Sequence, residues 1–353
     1  DPRQVVVEDE TLCRGCGACL ERCPQIAGGF PATSVEMHPD YLIMDDPYWN
    51  AEVITHIDLE ATTGRIPISG TGQGDPHRGF GNDGIRFGHF HIVGPAQNLL
   101  YESTADAIAV HLGRRPKYCE FKGERLDIPA PRLVELKTPI ILDVMPMEGD
   151  EKLFIPLLEA AAAMGTRATL RLEEIERCTP VVSERTGNLI LRLTSHDVER
   201  LLAGNPWPEP IQGHLPGFVE IEVGQNAPAW MNELQDLCPD AVLCAVLKIK
   251  KEHLGPDQRP APDLRGKLEA LFQSPFDVLC LSSEYDPDTG YYPTTDAVPA
   301  VHRFLVENKL RHRFSILAAG GIRSAADAQK TIQLGANAIK IDWPALLAAD
   351  PMA

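Results

Sequence analysis

From Pro139 onward the chain alternates short apolar runs with amphipathic stretches. The apolar runs recur eight times: 139–145 (PIILDVM), 167–172 (RATLRL), 189–194 (LILRLT), 219–224 (VEIEVG), 241–248 (AVLCAVLK), 277–282 (DVLCLS), 314–319 (FSILAA) and 337–342 (NAIKID). Each is short and rich in Val, Ile, Leu and Ala, as strands are. Helical periodicity follows most of them, at 151–164, 196–203, 263–273, 297–309 and 323–334. Strand and helix alternating eight times predicts an α/β fold, a parallel (β/α)8 TIM-type barrel over residues 136–353, with a doubly wound open sheet as the alternative. The interval between the second and third strands is short and turn-like, and a span of roughly 215 residues lies at the lower end for such barrels.

The alternation within strands also assigns faces. In 337–342, Lys340 and Asp342 lie on one side with Ile339 and Ile341 on the other. If the isoleucines pack on helices, the charged pair faces the barrel interior. The same count turns Glu220 and Glu222 inward, and predicts an interior ion pair between Lys340 and Glu222 or Asp342.

Ahead of the barrel the pattern changes twice. Residues 37–135 are rich in Gly, Pro and aromatic turns without sustained periodicity, and form a connecting region. Residues 1–36 hold CRGCGACLERCP, with Cys13, Cys16, Cys19 and Cys23 inside eleven positions. The spacing C-x2-C-x2-C-x3-C-P brings thiolates around one face of a cubane [4Fe-4S] cluster, and Gly15 and Gly17 let the backbone turn toward the sulfides. A zinc knuckle or two disulfides would fit this spacing poorly. In two-cluster ferredoxins the fourth cysteine of such a run serves the other cluster, and no second run exists here. The set is therefore closed by Cys23, by a remote thiol such as Cys119, or by a partner chain. Cys244 and Cys280 sit in apolar runs and are read as small buried hydrophobes.

Composition narrows the partners. Of 353 residues 44% are hydrophobic, enough for a sizeable core, and the formal charge is −17, which repels phosphate backbones and disfavours nucleic acid. No stretch reaches the roughly 18–20 uncharged apolar residues of a membrane span. The expectation is a cytoplasmic redox protein with a redox partner protein or subunit and an uncertain small-molecule substrate. The sequence begins at Asp1, so an upstream segment is left open. His77, His89 and His91, with Arg78 and Arg86, lie in a glycine-rich stretch. H-x-H alone fixes no ligand set, so this stretch is read as a structured loop.

At the other end, FSILAAGGIRSAADAQKTIQLGANAIKID reads as strand, glycine turn, helix and strand. The turn presents the amides of Gly320, Gly321 and Ile322 at a helix N-terminus, and in barrels the loops after the seventh and eighth strands often hold a phosphate.

With the cysteine run, DPYWNAEVITHIDLEATTGRIPISGTG, VEIEVGQNA and AAGGIRSAADAQKTIQLGANAIKIDWPAL, the chain resembles the FMN-binding synthase domain of glutamate synthase. The likeness is to the archaeal-type form with a ferredoxin-like iron–sulfur segment, and covers most of the sequence. The resemblance implies an oxidoreductase in which a flavin on the barrel takes electrons from iron–sulfur centres and reduces 2-iminoglutarate to glutamate. It places FMN near Gly320, Gly321, Ile322, Lys340, Asp342 and Glu222, and near the stretch Pro287, Asp288, Thr289 and Gly290, where the family has a Gly-Gly-Thr-Gly turn. Glu222 and Pro228 stand where the family carries lysines, and Asp342 where it carries a glycine beside the flavin phosphate. The family's three-cysteine cluster loop and amidotransferase domain are not recognisable. These departures count against authentic glutamate synthesis, and keep open an alternative: a flavin-free barrel serving as relay and scaffold in a larger redox complex.

Overall fold

The computed structural model describes residues 49, 53–54, 57, 60–62, 109–114, 120–122, 125–127, 132–143, 151–177, 182, 184–223, 230, 233–255, 257–283, 285–286, 290–291 and 294–349. Cys13, Cys16, Cys19, Cys23, Cys119, Pro228, Asp288 and Thr289 lie outside the described residues, as do the histidines of the glycine-rich stretch. The chain divides into two compact units, Asp1–His91 with Pro351–Ala353, and Ile92–Asp350. The second contains the barrel.

Eight parallel strands close on themselves in chain order: β1 Ile140–Asp143, β2 Ala168–Arg171, β3 Leu189–Leu193, β4 Phe218–Glu222, β5 Val242–Ile249, β6 Val278–Ser283, β7 Ser315–Ala319 and β8 Ala338–Ile341. The seam is the β8–β1 pair, with Ile339 opposite Ile140 and Lys340 opposite Ile141. Each apolar run read from the sequence is one of these strands, and closure excludes the open sheet. Helices follow each strand: α1 Glu151–Met164, α2 Leu172–Arg177, α3 Ser195–Leu202, α4 Leu234–Leu237, α5 Pro262–Leu271, α6 Thr294–Glu307, α7 Ala325–Gln333 and α8 Trp343–Ala349. Behind the turn-like interval after β2 is the six-residue α2, too short to leave a periodic signature.

Alternation sorts the strand residues into two cores. Leu170, Leu191, Leu193, Val219, Ile221, Leu243, Leu279 and Ile316 pack outward against helices. Ile141, Ile190, Phe218, Val242, Val278, Leu317 and Ala338 fill the lower lumen. Cys244 and Cys280 join this interior cluster as fully buried free thiols, and burial raises Cys244 well above the usual thiol range. The reading of both as small buried hydrophobes holds.

An antiparallel pair, Val110–Arg114 with Arg132–Leu136, plugs the N-terminal mouth by adding Leu112, Val134 and Leu136 to the interior cluster. Gly113 permits the approach: its φ is +122°, and a Cβ there would lie 2.1 Å from the Arg132 carbonyl oxygen. Its amide donates to the Ser315 hydroxyl of β7 at 3.2 Å. With one mouth plugged, the C-terminal ends of the strands are left to carry the site, as barrels generally do.

Candidate functional site

Four interior strands each bring one charged residue into the upper lumen: Asp143 on β1, Arg192 on β3, Glu220 on β4 and Lys340 on β8. Lys340 and Glu220 are fully buried at 0% exposure, and meet across the lumen from opposite walls. The Lys340 ammonium donates to Glu220 Oε1 at 2.8 Å and Oε2 at 2.7 Å, and lies 3.2 Å from Asp143 Oδ2. Arg192 Nη2 lies 2.8 and 2.7 Å from the two Asp143 oxygens and 3.2 Å from Glu220 Oε2, with Nε at 3.3 Å from the same oxygen. Two cations and two carboxylates thus form a closed ring of zero net charge. Burial alone would discharge Lys340, and Arg192 adds to that, but Asp143 and Glu220 outweigh both and hold the ammonium above its ordinary range. Burial would likewise raise Asp143, yet Arg192 and Lys340 bring its carboxyl below the usual range. Isolated, any of these charges would be costly to bury; paired, each is the condition for the others.

This corrects the expected partner of Lys340. Glu220 and Glu222 do both stand on the interior side of β4, as the period of two requires. Glu222, however, is two residues nearer the mouth, about 6–7 Å along the strand. There it is partly exposed and pairs with Lys248 of β5 at 3.7 Å. Lys340 lies deeper, level with Glu220.

Asp342 follows β8, with Oδ1 accepting from the Trp343 amide at 2.7 Å. No ion pair joins it to Lys340. Burial first, and then the neighbouring Asp143, raise its carboxyl to about 6.

Beside it, β7 ends in Gly320 and Gly321, with φ of +82° and +71°. A Cβ on Gly320 would lie 2.8 Å from the Ser283 carbonyl oxygen at the end of β6, so the turn needs glycine for space as well as for backbone conformation. The buried Thr294 hydroxyl donates to the carbonyls of Ala319 at 2.7 Å and Gly320 at 2.8 Å. In a trans peptide the following amide points opposite the carbonyl, so the amides of Gly320 and Gly321 face away from α6. Ile322 is buried behind them. Helix α7 then starts with Ser324 accepting from the Asp327 amide at 3.2 Å. Gly290 pairs with Asp286 in a short hairpin after β6.

The family model for the conserved region in glutamate synthase matches residues 284–352, which contain the Gly320–Gly321 turn, Lys340 and Asp342. The archaeal glutamate synthase [NADPH] of Archaeoglobus fulgidus is 26% identical, covering 97% of this chain and 73% of that protein. The archaeal-type enzyme of Dehalococcoides mccartyi is 23% identical over 99% of this chain and 74% of its own length. The chain is thus similar to archaeal-type glutamate synthases along nearly its whole length. Among solved structures, the deoxyribose phosphate aldolase of Aeropyrum pernix aligns at 16% identity over 60% of this chain and 88% of that one, with a TM-score of 0.43.

Asp143 and Arg192 went unnoticed as site residues, although each is the single charge in an apolar strand, IILD and LILRL, and each falls on the inward register. Among the described residues no group of His, Cys, Asp and Glu is arranged to hold a metal ion, and no helix is long and apolar enough to cross a membrane.

Proposed function

We propose that the chain is a glutamate synthase-like oxidoreductase that carries FMN at the C-terminal mouth of its barrel and a [4Fe-4S] cluster on Cys13, Cys16, Cys19 and Cys23. The observation that carries the reading is the Gly320–Gly321 turn, which lies inside the matched family region and directs two amides away from Thr294. Consecutive amides in positive-φ backbone are a fitting cradle for a phosphate. Asp342 fits beside a phosphate when protonated: as a carboxylic acid it donates a hydrogen bond, whereas as an anion it repels the ligand. Its carboxyl, raised to about 6, takes up that proton on modest acidification. Bound there, FMN would take electrons from the cluster and pass them to a substrate.

The remaining residues act by exclusion and orientation. The lumen ring is neutral, so it forms a charge-balanced floor that attracts neither anions nor cations. Glu222 and Lys248 form a partly exposed pair at the rim. With Glu222 where the resemblance implies a lysine, the mouth carries a carboxylate in place of a cation suited to a dicarboxylate, which argues for a substrate other than 2-iminoglutarate. A redox partner, and a site of action in the cytoplasm, belong to the same reading.

Anaerobic purification followed by iron, sulfide and heat-released flavin analysis tests this. Expected are about four iron atoms and about one FMN per chain, with retention of the flavin falling between pH 5 and pH 8 in the native protein but not in Asp342→Asn. A preparation with iron but no flavin at pH 5 would overturn the flavoenzyme reading and leave a scaffold with a cluster.

A further inference from the structure

The far end of the barrel holds a second set of arginines. Beside the N-terminal plug is a cavity of about 400 Å³ whose polar lining comes from Arg114, Gln235, Gln273, Ser274 and Arg313. The residues arrive from separate elements: Arg114 ends a plug strand, Gln235 lies in α4, Gln273 and Ser274 follow α5, and Arg313 precedes β7. Behind them is Asp277, fully buried, with Arg114 Nε at 2.7 Å from Oδ1 and Arg132 Nη2 at 3.5 Å from Oδ2. Arg313 is fixed in the wall, donating to the Phe272 carbonyl and, at 2.6 Å, to the Ser274 carbonyl, with its guanidinium over the Phe314 ring.

Among the described residues, three guanidiniums against one carboxylate leave 3 − 1 = 2 positive charges in excess, on a chain whose overall charge is −17. Burial, and then Arg114 beside it, lower the Arg313 guanidinium from its ordinary range, against the pull of Asp277. Surface arginines that merely lock a plug need no cavity between them. Guanidinium forks match the paired oxygens of carboxylates and phosphates, and carboxamides at the rim add donors. At about 30 Å³ per water the space equals roughly a dozen waters, ample room for a small dicarboxylate or a phosphate.

We propose that this cavity binds a small carboxylate or phosphate anion between Arg114 and Arg313, at the end of the barrel remote from the glycine turn. The site stands independently of the flavin reading, because none of its residues belongs to the C-terminal mouth. It suits an effector that tightens the plug against β6 and β7 and leaves the reacting end untouched.

Thermal unfolding of the full chain tests it, with succinate, inorganic phosphate and neutral succinamide as probes at constant ionic strength. Gln235→Glu adds a negative charge to the lining at an exposed position, and Arg114→Gln removes a cation. Expected is a saturable rise in melting temperature with succinate or phosphate and none with succinamide. The half-saturating concentration should rise at least tenfold in Gln235→Glu and in Arg114→Gln. The stronger of the two anions identifies the source as carboxylate or phosphate. A rise that succinamide reproduces overturns the proposal. So does one that Gln235→Glu leaves unchanged, since phosphate held only at Gly320 and Gly321 would ignore that substitution.

Discussion

Both ends of this barrel bury arginine against carboxylate, and they do so in opposite ways. At the C-terminal end Arg192, Lys340, Asp143 and Glu220 balance two against two, with every cation touching both anions. At the N-terminal end Arg114 and Arg132 share Asp277 while Arg313 stands nearby, and the sum is positive. The carboxyls register the difference. Asp143 is brought below its ordinary range because two cations outweigh its burial, whereas Asp277 is raised because burial outweighs its arginines. A buried charge is stabilised by the geometry of its partners and not by their number.

Removing one member of the balanced ring should cost most. Glu220→Gln takes away the carboxylate that receives Lys340 and Arg192 from opposite walls, and should lower the stability of the barrel transition by about 3–5 kcal/mol. Lys340→Met added to it should restore part of that loss, because the stranded ammonium goes too. Urea denaturation of the three proteins decides it; a loss below about 1 kcal/mol for Glu220→Gln would mean that the ring is dispensable.

Asp342 gives the next effect, visible as a pH slope. Its folded carboxyl is raised to about 6 from an ordinary 3.8, so its contribution is complete below pH 3.8 and is lost as the pH climbs through 6. That rise corresponds to at most roughly 3 kcal/mol. Over this window the stability difference between the native chain and Asp342→Asn should therefore move in favour of the asparagine. Parallel pH profiles for the two proteins would remove Asp342 from the account of the site.

The smallest effect should come from the unbalanced end. Because burial raises the Asp277 carboxyl, Asp277→Asn relieves that cost while losing two ion pairs, and the net change should be within about 1 kcal/mol. If chemical denaturation showed Asp277→Asn to be as damaging as Glu220→Gln, the contrast between the ends would fail.

Much of the barrel was legible along the chain, since parallel strands with helices on one side and side chains on the other must be apolar nearly throughout. The runs 241–248 and 277–282 could hardly be anything else. The charged floor was legible only in part. Inward registers identify Glu220 and Lys340 as facing the lumen, but the expected partner for Lys340, Glu222 or Asp342, lies nearer the rim than Glu220, which Lys340 meets. Asp143 and Arg192 passed unmarked because a lone charge in a strand looks the same whether it meets solvent or a counter-ion. The plug strands lay in a stretch without periodicity. Five residues that close a barrel mouth are too few to show a repeat.

The sequence by itself determined the eight-fold alternation, the inward face of each strand and the glycines that the turn after β7 requires, because these depend on periods of two and 3.6 and on whether a Cβ can fit. Only the tertiary structure decided which charges met. The stagger of neighbouring strands and the closure of the sheet set Lys340 level with Glu220 across the lumen, and distances between non-adjacent strands are not written in any local pattern.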